Sequence, residues 1–98
     1  MSLRLEFHPA VGAELAHSHD WYERRQPGLG GEFLDELHRV LEQIAATPAC
    51  YGFVQGDVRA GLLKRFPFAV FDRLLPDRIR VLAVFHTARD SSGWQSRT

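Results

Sequence analysis

The spacing of apolar residues predicts one strand followed by two helices in the first half of the chain. Residues 3–8 (LRLEFH) alternate apolar and polar side chains, the period-two pattern of a strand with one covered face. Apolar residues then recur at helical intervals over about 9–25, and Pro9 suits the first helical turn because proline has no N–H to leave unpaired. After a glycine-rich turn at 28–31, a second helix is predicted to end before Pro48. Its apolar stripe consists of Phe33, Leu37, Val40, Leu41 and Ile44.

Three strands are predicted in the second half, after a mixed loop at 49–56. They cover residues 58–66, 68–74 and 79–87, which are rich in β-branched and aromatic side chains. Pro67 should mark a bend or a sheet edge, because proline cannot donate to a strand ladder. The last strand is nearly apolar on both faces and is therefore expected at the centre of the sheet. The order β-α-α-β-β-β predicts an α+β fold, with a helical hairpin packed on one face of a mainly antiparallel sheet.

The pairing of the last two strands decides which charged residues lie side by side. A tight or four-residue loop centred on Pro76 and Asp77 places Arg73 opposite Arg80, and this like-charge pair costs stability unless an anion bridges it. A three-residue loop instead places Asp72 opposite Arg80, which makes a structural salt bridge. The sequence leaves both registers open.

Strand alternation also predicts a basic surface on the sheet. Arg59 and Arg65 fall on one face of their strand. Arg80 and His86 are expected on the face of the last strand that the helices leave open. We expect these four side chains to converge on a basic concave surface.

The distribution of charge supports such a surface. Residues 1–57 contain 4 Lys and Arg against 9 Asp and Glu, a net charge of −5, whereas residues 58–98 contain 8 against 3, a net charge of +5. A basic working surface on an acidic body would attract nucleic acid or an acidic protein. The alternative is that the excess charge is only solvated surface.

Length and composition narrow the class of protein. The 98 residues predict a single domain, 1–98, because one core of this size leaves no material for a second. The lone Cys50 forms no disulfide framework, and His17, His19 and Glu23 offer too few ligands at suitable spacing for a zinc site, so no metal or cofactor is predicted. No apolar run has the length of a membrane span and no signal pattern opens the chain, which predicts a cytoplasmic protein that does not contact a membrane.

Several short motifs occur in order over nearly the whole chain. They are Phe7-His8-Pro9, Trp21-Tyr22-Glu23, Pro27-Gly28-Leu29-Gly30, Phe33-Leu34, Val58-Arg59, Leu63-Lys64-Arg65-Phe66-Pro67-Phe68, Val81-Leu82-Ala83-Val84-Phe85-His86, Arg89-Asp90 and Trp94. In this order they resemble the RelE/ParE superfamily of toxins from bacterial toxin–antitoxin modules. Their common order makes the resemblance specific.

The resemblance implies a type II, plasmid-stabilisation-like toxin that is held inactive by a cognate antitoxin wrapped over the helical hairpin and the sheet. RelE-like members cleave messenger RNA on the ribosome, whereas ParE-like members are understood to poison DNA gyrase without the nuclease residues. This chain resembles the ParE-like branch more closely, so gyrase is the expected target. The ribosome with its messenger RNA is the alternative target, and an inactive module that binds without toxicity is a third hypothesis.

A metal-free ribonuclease needs an acid or base and cations around the reacting phosphate. His86 is the side chain best suited to proton transfer near neutral pH. The catalytic set for a nuclease would be Arg59, Arg65, His86 and Arg89. The chain departs from the RelE pattern because its tyrosines, Tyr22 and Tyr51, lie outside the last strand and the tail. We therefore lean towards a toxin that binds its target without catalysis.

The residues expected to bind the target are mainly the arginines of the sheet and tail. They are Arg59, Arg65, Arg73, Arg80, His86, Arg89 and Trp94. Replacing Arg65, Arg89 and Trp94 with alanine should abolish toxicity without unfolding the protein. Trp94 could stack on a base or instead close the open face of the sheet, and His86 could bond only to the turn at 89–90. Trp21 and Tyr22 are the expected antitoxin contacts, with burial in the core as the alternative.

Overall fold

The computed structural model describes residues 2–88 and 93–98 and contains every predicted helix and strand, together with one further strand. The additional strand, β2, lies inside the segment predicted as a loop at 49–56. The elements are β1 (Arg4–Phe7), α1 (Val11–Arg25), α2 (Leu29–Ala46), β2 (Phe53–Gln55), β3 (Val58–Leu62), β4 (Phe68–Leu74) and β5 (Arg78–His86), with short 3-10 turns at Pro48–Cys50 and Trp94–Arg97.

The strands form one sheet in the order β1-β5-β4-β3-β2, with β5 inside the sheet as predicted. β1 runs parallel to β5, and the other neighbours are antiparallel. The two helices cover one face, where Phe33, Leu37 and Ile44 of α2 pack against buried residues of β4 and β5. The predicted α+β fold, a mainly antiparallel sheet under a helical hairpin, is thereby confirmed.

The boundaries of both helices differ from the prediction at their first turns. Pro9 was expected in the first turn of α1, but it precedes the helix, which begins at Val11 after Ala10. The glycine-rich turn predicted at 28–31 is shorter, because α2 already begins at Leu29. Gly28 alone takes a left-handed conformation there (φ 89°), which side chains other than glycine rarely adopt.

Glu23 in the last part of α1 explains why α2 begins so early. Its carboxylate accepts hydrogen bonds from the backbone N–H groups of Gly28 (2.8 Å) and Gly30 (3.0 Å), which would otherwise be unpaired at the start of α2. These bonds lower the pKa of Glu23, the one from Gly28 most strongly. Glu23 thus fixes the sharp reversal between the two helices.

Four residues, 75–78, separate the paired residues at the ends of β4 and β5, which resolves the register that the sequence left open. Leu74 pairs with Ile79 and Arg73 lies opposite Arg80. Farther along, Phe71 pairs with Ala83 while Asp72 pairs with Val81, so Leu82 is an extra residue in a β-bulge.

The bulge changes the face of the sheet on which the last side chains of β5 lie. Arg80 lies on the face away from the helices, as predicted. Beyond the extra residue the alternation is shifted, and His86 lies on the helix-covered face, paired with Phe68 of the core. The prediction that Arg80 and His86 share one face is therefore wrong, because simple alternation fails at a bulge.

Candidate functional site

The open face of the sheet carries arginines that are already paired with carboxylates. Arg73 donates to Asp57 (3.0 Å), and Arg80 donates to Glu6 (2.6 Å). Arg78 beside them also contacts Glu6 (3.1 Å). The like-charge pair of Arg73 and Arg80 therefore needs no bridging anion, and the potential anion site of this register is occupied by the protein's own acids.

Trp94 covers the remaining part of the open face. Its ring stacks on Phe71 at 5.1 Å between centroids with an interplanar angle of 15°, and the residue is only 5% exposed. Leu82 and Phe85 belong to the same buried cluster. Trp94 thus closes the sheet face, as the alternative hypothesis held, and it cannot stack on a base from this position.

Arg97 holds the segment that carries Trp94, a role that the sequence analysis missed. Its guanidinium donates to both carboxylate oxygens of Glu14 in α1 (2.9 and 2.6 Å) and to the carbonyl of Leu82 (3.2 Å). The Glu14 carboxylate raises the pKa of Arg97 further above its usual value. Because Arg97 and Glu14 are far apart in the chain, no local pattern could have indicated this pair.

Two predicted target-binding residues, Arg73 and Trp94, line one cavity of about 350 Å³ on the open face. Gln55, Asp57 and Gln95 complete most of its wall. Since Asp57 already neutralises Arg73, the cavity offers a charged pair rather than a free cation.

Arg59 lies on the other face of the sheet, at its β2 end. It is opposite Asp72, whose register places it with the core residues, and it donates to the carbonyl of Tyr51 (2.7 Å). Its guanidinium also lies 3.9 Å from the centroid of the Phe53 ring, in cation–π contact. Arg59 is thus held by the segment that was predicted as a loop.

Both side-chain oxygens of Asp72 are buried without a hydrogen-bond partner, and no other described residue has a buried side-chain oxygen or nitrogen in this state. Asp72 is 1% exposed. Burial raises its pKa to about 6, and the neighbouring charge of Arg59 opposes this rise only in part.

Arg65 does not lie on a strand, because β3 ends at Leu62. Its side chain donates to Glu32 of α2 (2.7 Å), and this carboxylate raises the pKa of Arg65. The backbone N–H groups of Lys64 and Arg65 both donate to the buried carboxylate of Glu36. Two glutamates one turn apart therefore attach the segment after β3 to α2.

His86 packs edge-on against Phe68 at 5.3 Å between ring centroids. Its Nδ1 atom accepts the backbone N–H of Ala88 (3.1 Å). Arg89 and Asp90, to which the predictions also gave roles, lie outside the described residues. The predicted basic concave surface is not formed by the remaining residues, since Arg80 lies on one face while Arg59 and His86 lie on the other and Arg65 is held at α2.

Trp21 and Tyr22, the predicted antitoxin contacts, are both half-buried. The Tyr22 ring contacts the core rings of Phe33 (5.4 Å) and Phe66 (5.0 Å). Trp21 packs edge-on against Tyr22, and the guanidinium of Arg25 lies 4.3 Å from its ring centroid. Tyr22 is thus mainly a core residue, and Trp21 forms part of the surface of α1.

No group of three or more His, Cys, Asp and Glu side chains in residues 2–88 and 93–98 could hold a metal ion. His19 contacts Asp20 (3.0 Å), and the carboxylate of Glu23 caps α2 as described above. None of the helices described here is long and apolar enough to cross a bilayer.

Two depressions flank α2, and neither was foreseen. The first, the β1 groove, has a volume of about 620 Å³ and lies between α2 and the edge strand β1. Its mainly apolar lining includes Leu3, Leu5, Phe7, Leu41 and Ala45, and Phe7 is 43% exposed.

The second depression, the α2–β3 cleft, has a volume of about 280 Å³ on the opposite flank of the helix. Its lining includes Arg39, Val40, Tyr51, Leu62 and Lys64. The cleft joins residues from three separate parts of the chain, so only the fold reveals it.

Sequence comparison finds no matching family model and no matching curated protein. Structural comparison finds a chain in the solved structure of the chromosomal ParDE TA system from P. aeruginosa, with a TM-score of 0.76 and 18% sequence identity. The match covers 87% of this chain and 96% of that chain. At this identity the likeness concerns the fold, and it confirms that this protein has the RelE/ParE fold expected from its motifs.

Proposed function

We propose that this protein is the toxin of a type II, plasmid-stabilisation-like toxin–antitoxin module, acting as a single domain in the bacterial cytoplasm. The observation that carries the proposal is the match with a chain of the ParDE TA system over 96% of that chain. The ordered motifs from Phe7 to Trp94 support the same assignment from the sequence alone. On this proposal a cognate antitoxin keeps the protein inactive until the antitoxin is lost.

The proposed target is DNA gyrase, inhibited by binding rather than by catalysis. Support comes from the separation of the described nuclease candidates, because a ribonuclease must bring its cations and its acid or base to one phosphate. Arg59 is bound to a carbonyl, Arg65 to Glu32, and His86 packs on Phe68. Arg73, Arg80 and Arg89 remain proposed contacts with gyrase.

The antitoxin is proposed to occupy the β1 groove. β1 lies at an edge of the sheet, so its outer backbone groups can pair with an added strand. Phe7 and Leu41 beside it offer apolar contact. Trp21 lies on α1 and remains a second proposed antitoxin contact.

Controlled expression in a bacterial host tests the proposal. Growth, chromosomal DNA breaks and cleavage of translated messages are followed in one culture, with and without the protein encoded by the adjacent reading frame. We expect growth arrest with DNA breaks that disappear when gyrase is drug-resistant or depleted, and relief by the adjacent protein.

The control is Val70→Asp, which places a charge at a fully buried core position and should give an unfolded, harmless chain. Message cleavage at codon-spaced positions without DNA breaks would favour the ribosome-dependent nuclease. If the folded wild-type protein causes no arrest, the third hypothesis, an inactive binding module, replaces the toxin.

A further inference from the structure

The α2–β3 cleft contains two cations that no carboxylate of the described residues neutralises. Arg39 projects from α2 and Lys64 from the segment after β3, and both side chains line the cleft. Neither takes part in an ion pair or a cation–π contact within the described part of the chain. On the sheet, in contrast, Arg73, Arg78 and Arg80 each have a carboxylate partner. The cleft is thus a place where an external anion gains pairing without displacing an internal one.

The carboxylates near the cleft are already used. Glu36 accepts the backbone N–H groups of Lys64 and Arg65, and Glu32 accepts the side chain of Arg65. The backbone of Lys64 is therefore fixed to α2 while its ammonium group is left for a ligand. Fixing the segment in advance lowers the entropy lost on binding.

Glu36 and Arg65 also line the cleft, with their charged groups engaged as described above, and the remaining lining is apolar or neutral. Val40 and Leu62 line it, and Leu62 is 61% exposed. The hydroxyl of Tyr51 donates to the side chain of Gln43 (3.0 Å), which holds the aromatic wall in place. A ligand that combines a carboxylate with a neighbouring apolar side chain would meet complementary groups at both points.

A polypeptide fits this surface better than a nucleic acid. The exposed carboxylates of Glu32, Asp35 and Glu42 lie along α2 around Arg39. A strand of consecutive phosphates would meet this negative charge on leaving the cleft. An acidic peptide can place one or two carboxylates in the cleft and neutral residues beside it.

We propose that the α2–β3 cleft binds an acidic, partly apolar segment of the partner polypeptide, with its carboxylates at Arg39 and Lys64 and an apolar side chain against Leu62 and Val40. The identity of that partner as the antitoxin rests on the proposed function. Since the β1 groove lies on the other flank of α2, one partner chain would then hold the helix from both sides.

A peptide titration in which NMR monitors the backbone amide signals tests the cleft without assuming toxicity. The probe is the capped peptide Gly-Asp-Leu-Glu-Val-Asp-Gly, and its control has Asn and Gln in place of the acids. The protein is compared with the double variant Arg39→Gln/Lys64→Gln and with Arg4→Gln/Arg24→Gln, which neutralises two exposed arginines outside the cleft. A single-stranded oligothymidine is titrated separately.

We expect the acidic peptide to shift the amide signals of Leu62, Lys64 and Arg39, and the cleft variant to bind it about tenfold more weakly. The Arg4/Arg24 variant should bind within about twofold of wild type, since general attraction is small at moderate salt. The neutral peptide should bind wild type no more tightly than the acidic peptide binds the cleft variant.

The proposal is overturned if the neutral peptide binds as tightly as the acidic one, or if both double variants lose the same affinity. It is also overturned if no amide signal at the cleft shifts. Tighter binding of the oligothymidine at the same amides overturns it in favour of nucleic acid. A positive peptide titration with no growth arrest in the expression test would leave the cleft assignment standing and remove only the identity of the partner.

Discussion

Asp72 shows how one residue acquires unusual chemistry from its register. Opposite Arg59 on β3 and Val81 on β5, it lies on the helix-covered face, where its oxygens find no partner among the described residues. Arg59 is held by the carbonyl of Tyr51 and by the Phe53 ring. A buried carboxylate without a partner favours its neutral form.

We expect Asp72 to make the protein less stable as the pH rises. Its folded-state pKa of about 6 lies above its ordinary value of 3.8, so the folded state binds the proton more tightly. The penalty is absent below pH 3.8, grows between these values and is complete above about 6. The difference between these two pKa values corresponds to about 3 kcal/mol in the free energy of unfolding. Urea unfolding of wild type and Asp72→Asn between pH 4 and 7.5 measures it.

The free energy of unfolding of Asp72→Asn relative to wild type should increase by roughly this 3 kcal/mol across the pH range. Asp35→Asn, at an exposed position of α2, serves as the control and should show no comparable increase. Parallel pH profiles for wild type and Asp72→Asn would show that Asp72 titrates normally.

At the scale of elements, the reversal between α1 and α2 depends on close contact at one glycine. A Cβ atom on Gly30 would lie 2.6 Å from the carbonyl oxygen of His19, whereas a Cβ on Gly31 would meet nothing within 4 Å. The two adjacent glycines in one helical turn therefore have opposite roles. Only Gly30 permits the helices to approach.

Alanine substitution at these two glycines should change stability in opposite directions. We expect Gly30→Ala to lower the free energy of unfolding by about 1–3 kcal/mol, because the backbone of α1 must move. Gly31→Ala should raise it by about 0.5–1 kcal/mol, because alanine favours an unobstructed helix position. Thermal and urea unfolding measure both, and a loss of similar size for both variants would argue against the packing explanation.

The 3-10 turn Trp94–Arg97 is a covering element rather than an exposed tail. We expect Trp94→Ala to lower the free energy of unfolding by about 3–5 kcal/mol, since Phe71 and Phe85 lose their cover. Trp94→Phe should lose clearly less. The triple alanine variant at Arg65, Arg89 and Trp94, which was expected to keep the fold, is therefore a poor test of target binding. If Trp94→Ala unfolded at the same denaturant concentration as wild type, the Trp94 ring would have to be exposed in the wild-type protein.

The helices and long strands could be predicted because their apolar periods extend over many residues. β4 was predicted with its observed bounds, and α2 to within its first turn. β2 was missed because its three residues are all exposed and show no alternation. The bulge at Leu82 was missed because an extra residue between two apolar positions looks like an ordinary apolar run.

The whole molecule uses its charge asymmetry for internal pairing. The acidic first half and basic second half meet in Glu6 with Arg80, Glu14 with Arg97, and Glu32 with Arg65. A net charge per half indicates that such pairs are available, but only the fold decides which arginines remain unpaired. For this reason the sequence pointed to a basic surface on the sheet, whereas the unpaired cations of the α2–β3 cleft became visible in three dimensions.

The β1 groove leads to a prediction about the whole molecule and its partner. If the antitoxin binds there, Phe7→Ala should weaken the complex about ten- to a hundredfold, because exposed aromatics commonly anchor interfaces. Leu74→Ala is the matched control, since Leu74 is similarly exposed (47% against 43%) but does not line the groove. Calorimetric titration with the neutralising adjacent protein measures both affinities. Equal effects of the two substitutions would place the antitoxin elsewhere.

The parallel pairing of β1 with β5 has a consequence for synthesis in the cell. Arg4 pairs with Arg78, so the first strand to leave the ribosome waits for the last strand of the sheet to be translated. Until then β1 has two open edges, and the sheet lacks the strand that joins β1 to β4. The sheet therefore cannot be completed before β5 is made, which gives any chaperone or binding protein time to reach β1 before β5 pairs with it.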